Sequence, residues 1–140
     1  MSWMISQTDN LGTCLDLRRV VFMEEQNVSL ADEIDGMDDK AIHVLARIDD
    51  LPVGTARILL AGEQAKIGRV CVLQHARGKG LGAAIIKACL DVARAQQGVT
   101  SAKLGAQVHA LAFYEKLGFS AFGPVYDDAG IPHRDMECAL

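Results

Sequence analysis

Six consecutive residues are the part of this chain best suited to chemistry, because they combine cations with glycines that let the backbone approach a ligand. They are Arg77, Gly78, Lys79, Gly80, Leu81 and Gly82. Alternating apolar residues predict a strand over residues 65–73, and a helical stripe including Leu81 and Ile85 predicts a helix over residues 80–97. A helix N-terminus exposes unpaired backbone N–H groups at the positive end of its dipole. The segment therefore predicts a binding site for an anion such as a phosphate.

Two other phosphate-binding patterns fail on spacing. A Walker A loop would need a glycine in place of Leu73 and a serine or threonine in place of Gly80. A dinucleotide-binding fingerprint would need an acidic residue about twenty positions further on, where residues 98–101 read Gly, Val, Thr, Ser. A glycine-rich turn without a ligand is the remaining alternative. Three glycines beside Arg77 and Lys79 favour the anion site over that alternative.

Composition favours one globular domain, residues 1–140, because half of the residues are hydrophobic. The formal net charge of −4 argues against a broad nucleic-acid surface. Neither a secretion signal nor a run of about 18 apolar residues is visible. We therefore expect a cytoplasmic protein that binds neither nucleic acid nor membranes. Phosphate binding would use locally grouped cations, namely Arg69, Arg77, Lys79 and Lys87.

Cysteines and histidines are scattered through the chain. Without paired spacing or a secretion signal, the cysteines are expected to be reduced core residues. The histidines offer no metal-ligand spacing, so no structural metal is expected. These residues are Cys14, Cys71, Cys89, Cys138, His43, His75, His109 and His133.

The N-terminal part predicts a strand, a helix and an acidic segment. A short strand near residues 4–7 precedes an amphipathic helix that Asp9 or Asn10 can cap and that ends near residues 25–27. The acidic segment, residues 29–40, is predicted as a short helix or turn followed by a loop. Its carboxylates are expected on a solvated face.

Further strands complete an α+β order, β-α-α-β-β-β-α-β-α-β-β. Residues 41–49 and 52–60 alternate and predict an antiparallel hairpin with Pro52 in its turn. Residues 101–107 predict a strand parallel to the central one, because strand–helix–strand connections cross over right-handed. The last elements are a helix at residues 109–117 and strands at 120–125 and 132–140.

This order and a set of motifs resemble the GNAT (N-acetyltransferase) superfamily, and more narrowly its ElaA-like subgroup. The glycine loop fits R-x-x-G-x-G, the pyrophosphate loop with which this superfamily binds acetyl-coenzyme A. The resemblance implies a three-layer fold with helices on both faces of a mixed, mainly antiparallel sheet, splayed between the central strand and the next. Other shared motifs are Arg19, Val21, Phe22, Glu25, Gln26, Glu33, Asp35, His43, PVGTARI from Pro52, IGRVCV from Ile67, AQ at Ala106, FYEKLGF from Phe113 and AGIPH from Ala129.

The resemblance also implies roles for individual residues. Tyr114, one helical turn after Ala110, would protonate the departing thiolate, with a core aromatic as the alternative. Gln107 would contact a pantetheine amide, and His109 is expected to cap the following helix. The coenzyme arm would pair with the backbone of Val70, Cys71 and Val72, and the diphosphate would bind Arg77, Gly78, Lys79, Gly80, Leu81 and Gly82. Cys71 itself is interpreted as a core residue rather than a nucleophile.

The general base that deprotonates the acceptor amine is left open. Glu33 and His43 are the leading candidates; Glu25, Asp35 and His133 also lie in subgroup-like motifs, and a water chain is an alternative. A structural role for His43 is the simpler interpretation, because its predicted strand is half-buried. The acidic segment would suit a cationic amine.

Together these features predict an acyltransferase that moves an acetyl group from acetyl-coenzyme A directly to a primary amine of an unidentified acceptor. The alternative is a non-catalytic domain that binds or senses acyl-coenzyme A. Whether exposed edge strands pair into a homodimer is left open.

Overall fold

One mixed sheet contains the seven strands of the described chain, residues 2–140 of the computed structural model. Across the sheet the strands follow the order first, second, third, fourth, fifth, seventh, sixth. Neighbours are antiparallel except the fourth and fifth, which are parallel. The predicted α+β class with a mixed, mainly antiparallel sheet is confirmed. The strands are β1 (Trp3–Thr8), β2 (Ile42–Ile48), β3 (Leu51–Ala61), β4 (Gln64–Val72), β5 (Ser101–Gln107), β6 (Ser120–Asp128) and β7 (Ile131–Ala139).

Helices lie between these strands in the predicted order. The Asn10 side chain caps the first helix by accepting from the Thr13 amide at 3.2 Å, and this helix continues as a π-helical segment, Arg19–Glu25. No helix within residues 2–140 combines the length and apolarity needed to cross a bilayer. The α-helices are α1 (Leu11–Arg18), α2 (Leu30–Glu33), α3 (Leu81–Arg94) and α4 (Leu111–Glu115), and 3₁₀ turns occupy Asp38–Lys40, Gln74–Ala76 and Val108–Ala110.

The helices cover both faces of the sheet, as predicted. Successive side chains of a strand point to opposite faces. In β2, Val44 and Ala46 belong to the core cluster that contains Ile85 of α3, whereas Leu45 packs with Cys14 of α1. The sheet is therefore the middle of three layers.

The turn between β2 and β3 is Asp49–Asp50, and the prediction that Pro52 lies in it is wrong. Both aspartates have positive φ, 50° and 65°, as a two-residue type I′ turn requires. Pro52 already belongs to β3 and lies opposite Arg47, where the register shifts. A strand tolerates proline at such an irregularity because the regular hydrogen-bond ladder is interrupted there.

β4 contains a bulge toward β3. The flanking pairs are Thr55 with Cys71 and Arg57 with Gly68. Arg69 and Val70 thus lie together opposite Ala56. Arg69 has φ of 51°, a left-handed conformation that is unfavourable for a residue with a Cβ atom and that recurs at functional sites.

On its other side, β4 parts from β5. Parallel pairing runs from Gln64 and Ser101 to Lys66 and Lys103 and stops there, although both strands continue for several residues. The predicted splay between the central strand and the next is confirmed.

Candidate active site

A cavity of about 810 Å³ opens where β4 and β5 part. Residues 66–72 of β4 form one wall and the end of β5 forms another, with the π-helical segment, α2 and the start of β7 closing the rest. His43 is absent from this lining. Within residues 2–140 no cluster of His, Cys, Asp or Glu is arranged to hold a metal ion. Predicted site residues in the lining are Glu33, Val70, Cys71, Val72, Arg77, Gln107 and Tyr114.

The glycine loop connects Arg77, which lines the cavity, to the N-terminus of α3, and residues 78–82 themselves lie outside the lining. Gly78 and Gly80 have φ of 78° and 84°, values that glycine adopts without strain. Gly80 is the N-cap residue of α3, and no side chain in the described chain caps this helix. The first N–H groups, including that of Gly82, are therefore available to an anion. A Cβ atom on Gly82 would lie 3.5 Å from Phe113 Cζ, so larger side chains would crowd the loop.

Arg77 joins the end of β4 to the π-helical segment. Its Nη1 and Nη2 donate to the two Glu25 carboxylate oxygens at 2.6 and 2.8 Å, and its Nε donates to the Val72 carbonyl at 2.9 Å. The hydrogen bonding of Arg77 to the Glu25 carboxylate, together with the positive charge of Arg77, lowers the pKa of Glu25. Glu25 is therefore ionised and forms an ion pair with Arg77.

Cys71 is a core residue, as interpreted from the sequence. It is 5% exposed and packs with Cys14, Leu17 and Leu45. Burial raises the pKa of its thiol to about 12. A thiol that stays protonated is a poor nucleophile.

Tyr114 lines the cavity from α4. Its ring meets Phe113 and Phe119 edge-to-face, with centroids 5.0 and 6.0 Å away. Burial raises the pKa of Tyr114 to about 12. The phenol is therefore protonated at neutral pH and has a proton to give.

Gln107 is held between two polar side chains. Its Nε2 donates to Gln26 Oε1 at 3.1 Å, and its Oε1 lies 2.7 Å from His109 Nε2. The prediction that His109 caps α4 is wrong, because Ala110 is the N-cap residue and no described side chain caps that helix. His109 orients Gln107 instead.

Arginines pair with three carboxylates of the acidic segment, and the expected solvated face is wrong for Glu33 and Asp38, whereas Asp32, Asp35 and Asp39 are exposed. Glu33, 4% exposed, accepts a buried hydrogen bond from Arg18. Asp38 accepts from Arg18 at 2.7 Å and from Arg57 at 3.1 Å, while Asp35 accepts from Arg57 at 2.9 Å. Breaking such buried pairs is strongly destabilising. These carboxylates have partners and do not offer free negative charge to a cationic amine.

Arg69 lies beside this network and away from the phosphate-binding cations with which the sequence grouped it. Its Nη2 donates to the Glu33 carbonyl at 2.9 Å and lies 3.5 Å from Asp35 Oδ2. Its side chain also lines the cavity. The bulge in β4 directs it there, which a linear pattern could not reveal.

The two candidate histidines on strands occupy different surroundings. His43 is 6% exposed, its Nε2 bonds to the Asp38 carbonyl at 3.0 Å, and its Nδ1 is buried without a partner in the described chain. His133 lines the cavity and its Nδ1 lies 2.7 Å from the Ile131 carbonyl. A carbonyl only accepts, so Nδ1 of His133 carries hydrogen and the neutral ring keeps a lone pair on Nε2.

Tyr126 is a cavity residue that sequence reasoning missed. Its ring stacks on His133 with centroids 6.0 Å apart, and its hydroxyl donates to Asp135 Oδ1 at 2.8 Å. The β6–β7 register brings it there by placing it opposite His133. Gly105 was a usable signal, since a Cβ atom there would collide with the Tyr126 hydroxyl and glycine inside a strand often marks such an approach.

The site thus combines a sheet parted beside a bulged strand with an uncapped helix N-terminus that follows the lining residue Arg77. The chain is a member of the GNAT family, since residues 18–140 match the family model described as acetyltransferase (GNAT) domain. It is therefore an acyltransferase, as the sequence predicted.

Individual relatives agree with this membership. The chain is similar to the uncharacterized N-acetyltransferase YjcF of Bacillus subtilis, with 37% identity over 129 residues, 91% of each protein. It is also similar to protein ElaA of Escherichia coli, with 36% identity over 131 residues, 90% of this chain and 85% of ElaA. The resemblance to the ElaA-like subgroup is confirmed.

Solved structures share the fold over nearly the full length. The crystal structure of Escherichia coli ElaA has a TM-score of 0.84 and covers 98% of both chains at 32% identity. That of an acyl-CoA N-acyltransferase from Pseudomonas aeruginosa has a TM-score of 0.86 and covers 99% of both chains at 32% identity.

Proposed function

We propose that this protein is an acetyl-coenzyme A-dependent N-acetyltransferase that acetylates a primary amine directly, in a ternary complex. The observation that carries the proposal is that the cavity beside the parted strands β4 and β5 is lined as far as Arg77, three residues before Gly80, the uncapped N-cap residue of α3. A helix N-terminus favours a diphosphate, and a gap between strands suits an extended arm with amides. The name of the Pseudomonas relative, an acyl-CoA N-acyltransferase, supports the same coenzyme class.

The coenzyme would bind along the parted strands. The backbone N–H groups from Gly78 to Gly82 would hold the diphosphate, with Lys79 adding positive charge, whereas the guanidinium of Arg77 is already bonded to Glu25 and the Val72 carbonyl. The arm would lie against Val70, Cys71 and Val72, and the amide of Gln107 would face it from β5. Because Gln107 is already oriented by Gln26 and His109, this contact would need little rearrangement.

Transfer requires one proton to leave the amine and one to reach the sulfur. The amine nitrogen attacks the thioester carbonyl, the C–S bond breaks, and the thiolate takes the proton of the Tyr114 phenol. For the base, the geometry favours His133 over the two leading sequence candidates. His133 lines the cavity, and its bond from Nδ1 to the Ile131 carbonyl leaves the lone pair of the neutral ring on Nε2, whereas Glu33 is bonded to Arg18 and His43 lies outside the lining.

A panel of primary amines assayed for release of free coenzyme A thiol tests the function. Release above the amine-free background, with the acetylated amine detected by mass spectrometry, is expected for at least one acceptor class. Tight coenzyme binding without release for any amine would favour a non-catalytic acyl-coenzyme A sensor instead. Absence of coenzyme binding would contradict both functions.

A further inference from the structure

We propose that the acceptor is a small amine that carries a carboxylate, and that Arg69 on the cavity wall binds this carboxylate. The inference rests on the proposed acetyl transfer and names the acceptor class for it. It replaces the cationic amine that the acidic segment suggested, since three carboxylates of that segment are paired with Arg18 and Arg57.

The first observation is an uneven distribution of ion pairs. Three carboxylates, those of Glu33, Asp35 and Asp38, face three guanidinium groups, and Arg18 and Arg57 take all the close contacts. Arg69 donates to the Glu33 carbonyl at 2.9 Å, but its nearest carboxylate oxygens are farther away, 3.5 Å to Asp35 Oδ2 and 4.0 Å to Glu33 Oε1. It is the cation of this network whose charge is least compensated.

The second observation concerns hydrogen bonds. The Nε atoms of Arg69 and Arg57 are buried without an acceptor in the described chain, and both side chains line the cavity. Buried polar groups nearly always have partners. A guanidinium presents parallel N–H groups that match the two oxygens of a carboxylate. The Nε atom of Arg69 is itself closed off from the cavity, so a carboxylate would bind the part of the guanidinium that the 22% exposure of the side chain leaves open.

The pKa shifts of Arg69 and Arg18 also support an anion at Arg69. Burial, followed by the charge of Arg57, lowers the pKa of Arg69. The pKa of Arg18 is raised instead, because bonds to Asp38 and Glu33 outweigh its burial. A bound anion would give Arg69 the compensation that Arg18 already has.

The position of Arg69 fits an acceptor site. It follows Gly68 in the bulge and precedes Val70, where the thioester is proposed to lie, and its φ of 51° holds the strand in an unusual conformation at the cavity wall. Lys66, also in the lining, adds a second positive charge, and Asp32 is an exposed acidic residue of the same lining. The cavity of about 810 Å³ would also take the coenzyme arm, which favours a small acceptor.

Matched pairs of acceptors test the inference. α-Amino acids and ω-amino acids of two to six carbons are compared with their amides, each in wild type, Arg69→Gln, Arg69→Lys and the surface control Arg94→Gln. We expect the best acid to exceed its amide by about tenfold or more in kcat/KM. Arg69→Gln should abolish that preference by lowering kcat/KM for the acids more than for the amides, Arg69→Lys should keep part of it, and Arg94→Gln should keep all of it.

The outcomes separate this inference from the proposed function. Equal use of acids and amides, or equal loss for both in Arg69→Gln, overturns the carboxylate site and leaves acetyl transfer standing. If no amine releases thiol, the proposed acetyl transfer is wrong. Equilibrium dialysis of the ω-amino acids against protein saturated with coenzyme A then tests whether the carboxylate site exists. Saturable binding that Arg69→Gln removes supports the site, and its absence in wild type overturns it.

Discussion

The parallel pairing of β4 and β5 ends at Lys66 and Lys103, several residues before either strand ends. Beyond these lysines the facing edges of the two strands border the cavity. Buried backbone groups are almost always hydrogen-bonded, so an extended ligand with its own amides is the natural occupant of this gap. The divergence of two strands thus creates the proposed coenzyme site.

Replacing Tyr114 by phenylalanine removes the proposed acid and keeps the ring packing. We expect turnover to fall about hundredfold while the affinity for acetyl-coenzyme A is unchanged. Because burial raises the pKa of Tyr114 to about 12, the wild-type rate should not decline through phenol ionisation at neutral or mildly alkaline pH. Tyr126→Phe is the control, because it removes a second phenol hydroxyl, which is bonded to Asp135 and has no assigned part in the transfer. Wild-type turnover in Tyr114→Phe would exclude the acid role.

His133→Gln tests the proposed base. Turnover at neutral pH should fall by about two orders of magnitude, and the deficit should narrow as pH rises because more of the amine arrives deprotonated. Steady-state kinetics across pH measures both effects, and circular dichroism confirms folding. His75→Gln, outside this cavity lining, should behave as wild type. An unchanged rate in His133→Gln would mean that another group, or water, deprotonates the amine.

Glu33 is expected to stabilise the fold, which Glu33→Gln tests. Its carboxylate and the Arg18 guanidinium are 5% and 1% exposed, so losing the charge should lower the free energy of unfolding by about 2–4 kcal/mol. Glu24→Gln removes an exposed pair with Arg19 and should cost less than about 1 kcal/mol. Chemical denaturation measures both values. Unchanged stability with lost turnover in Glu33→Gln would instead support the base role.

Local features of the molecule could be predicted from the sequence, and non-local ones could not. The glycine loop, the order of helices and strands and the crossover to β5 follow from periodicity and turn residues near each other in the chain. The pairing of Arg57 with Asp35 links residues 22 positions apart, and it gives one carboxylate of the acidic segment its partner. No periodic pattern encodes such a contact, because packing of the loop against β3 and β4 creates it.

The same limit explains the missed cavity residues. Tyr126 reaches the site through pairing of β6 with β7, and Arg69 does so through a bulge. Both depend on strand register, which a single sequence specifies weakly in irregular strands.

The central claim is that a diphosphate binds the backbone at the start of α3, and calorimetric titration of acetyl-coenzyme A into Gly82→Val tests it most directly. Gly12→Val is the matched control, because Gly12 and Gly82 are both the second residue of their helices. We predict that wild type and Gly12→Val bind the coenzyme with equal affinity, while folded Gly82→Val shows no binding. Wild-type affinity in folded Gly82→Val would contradict the account.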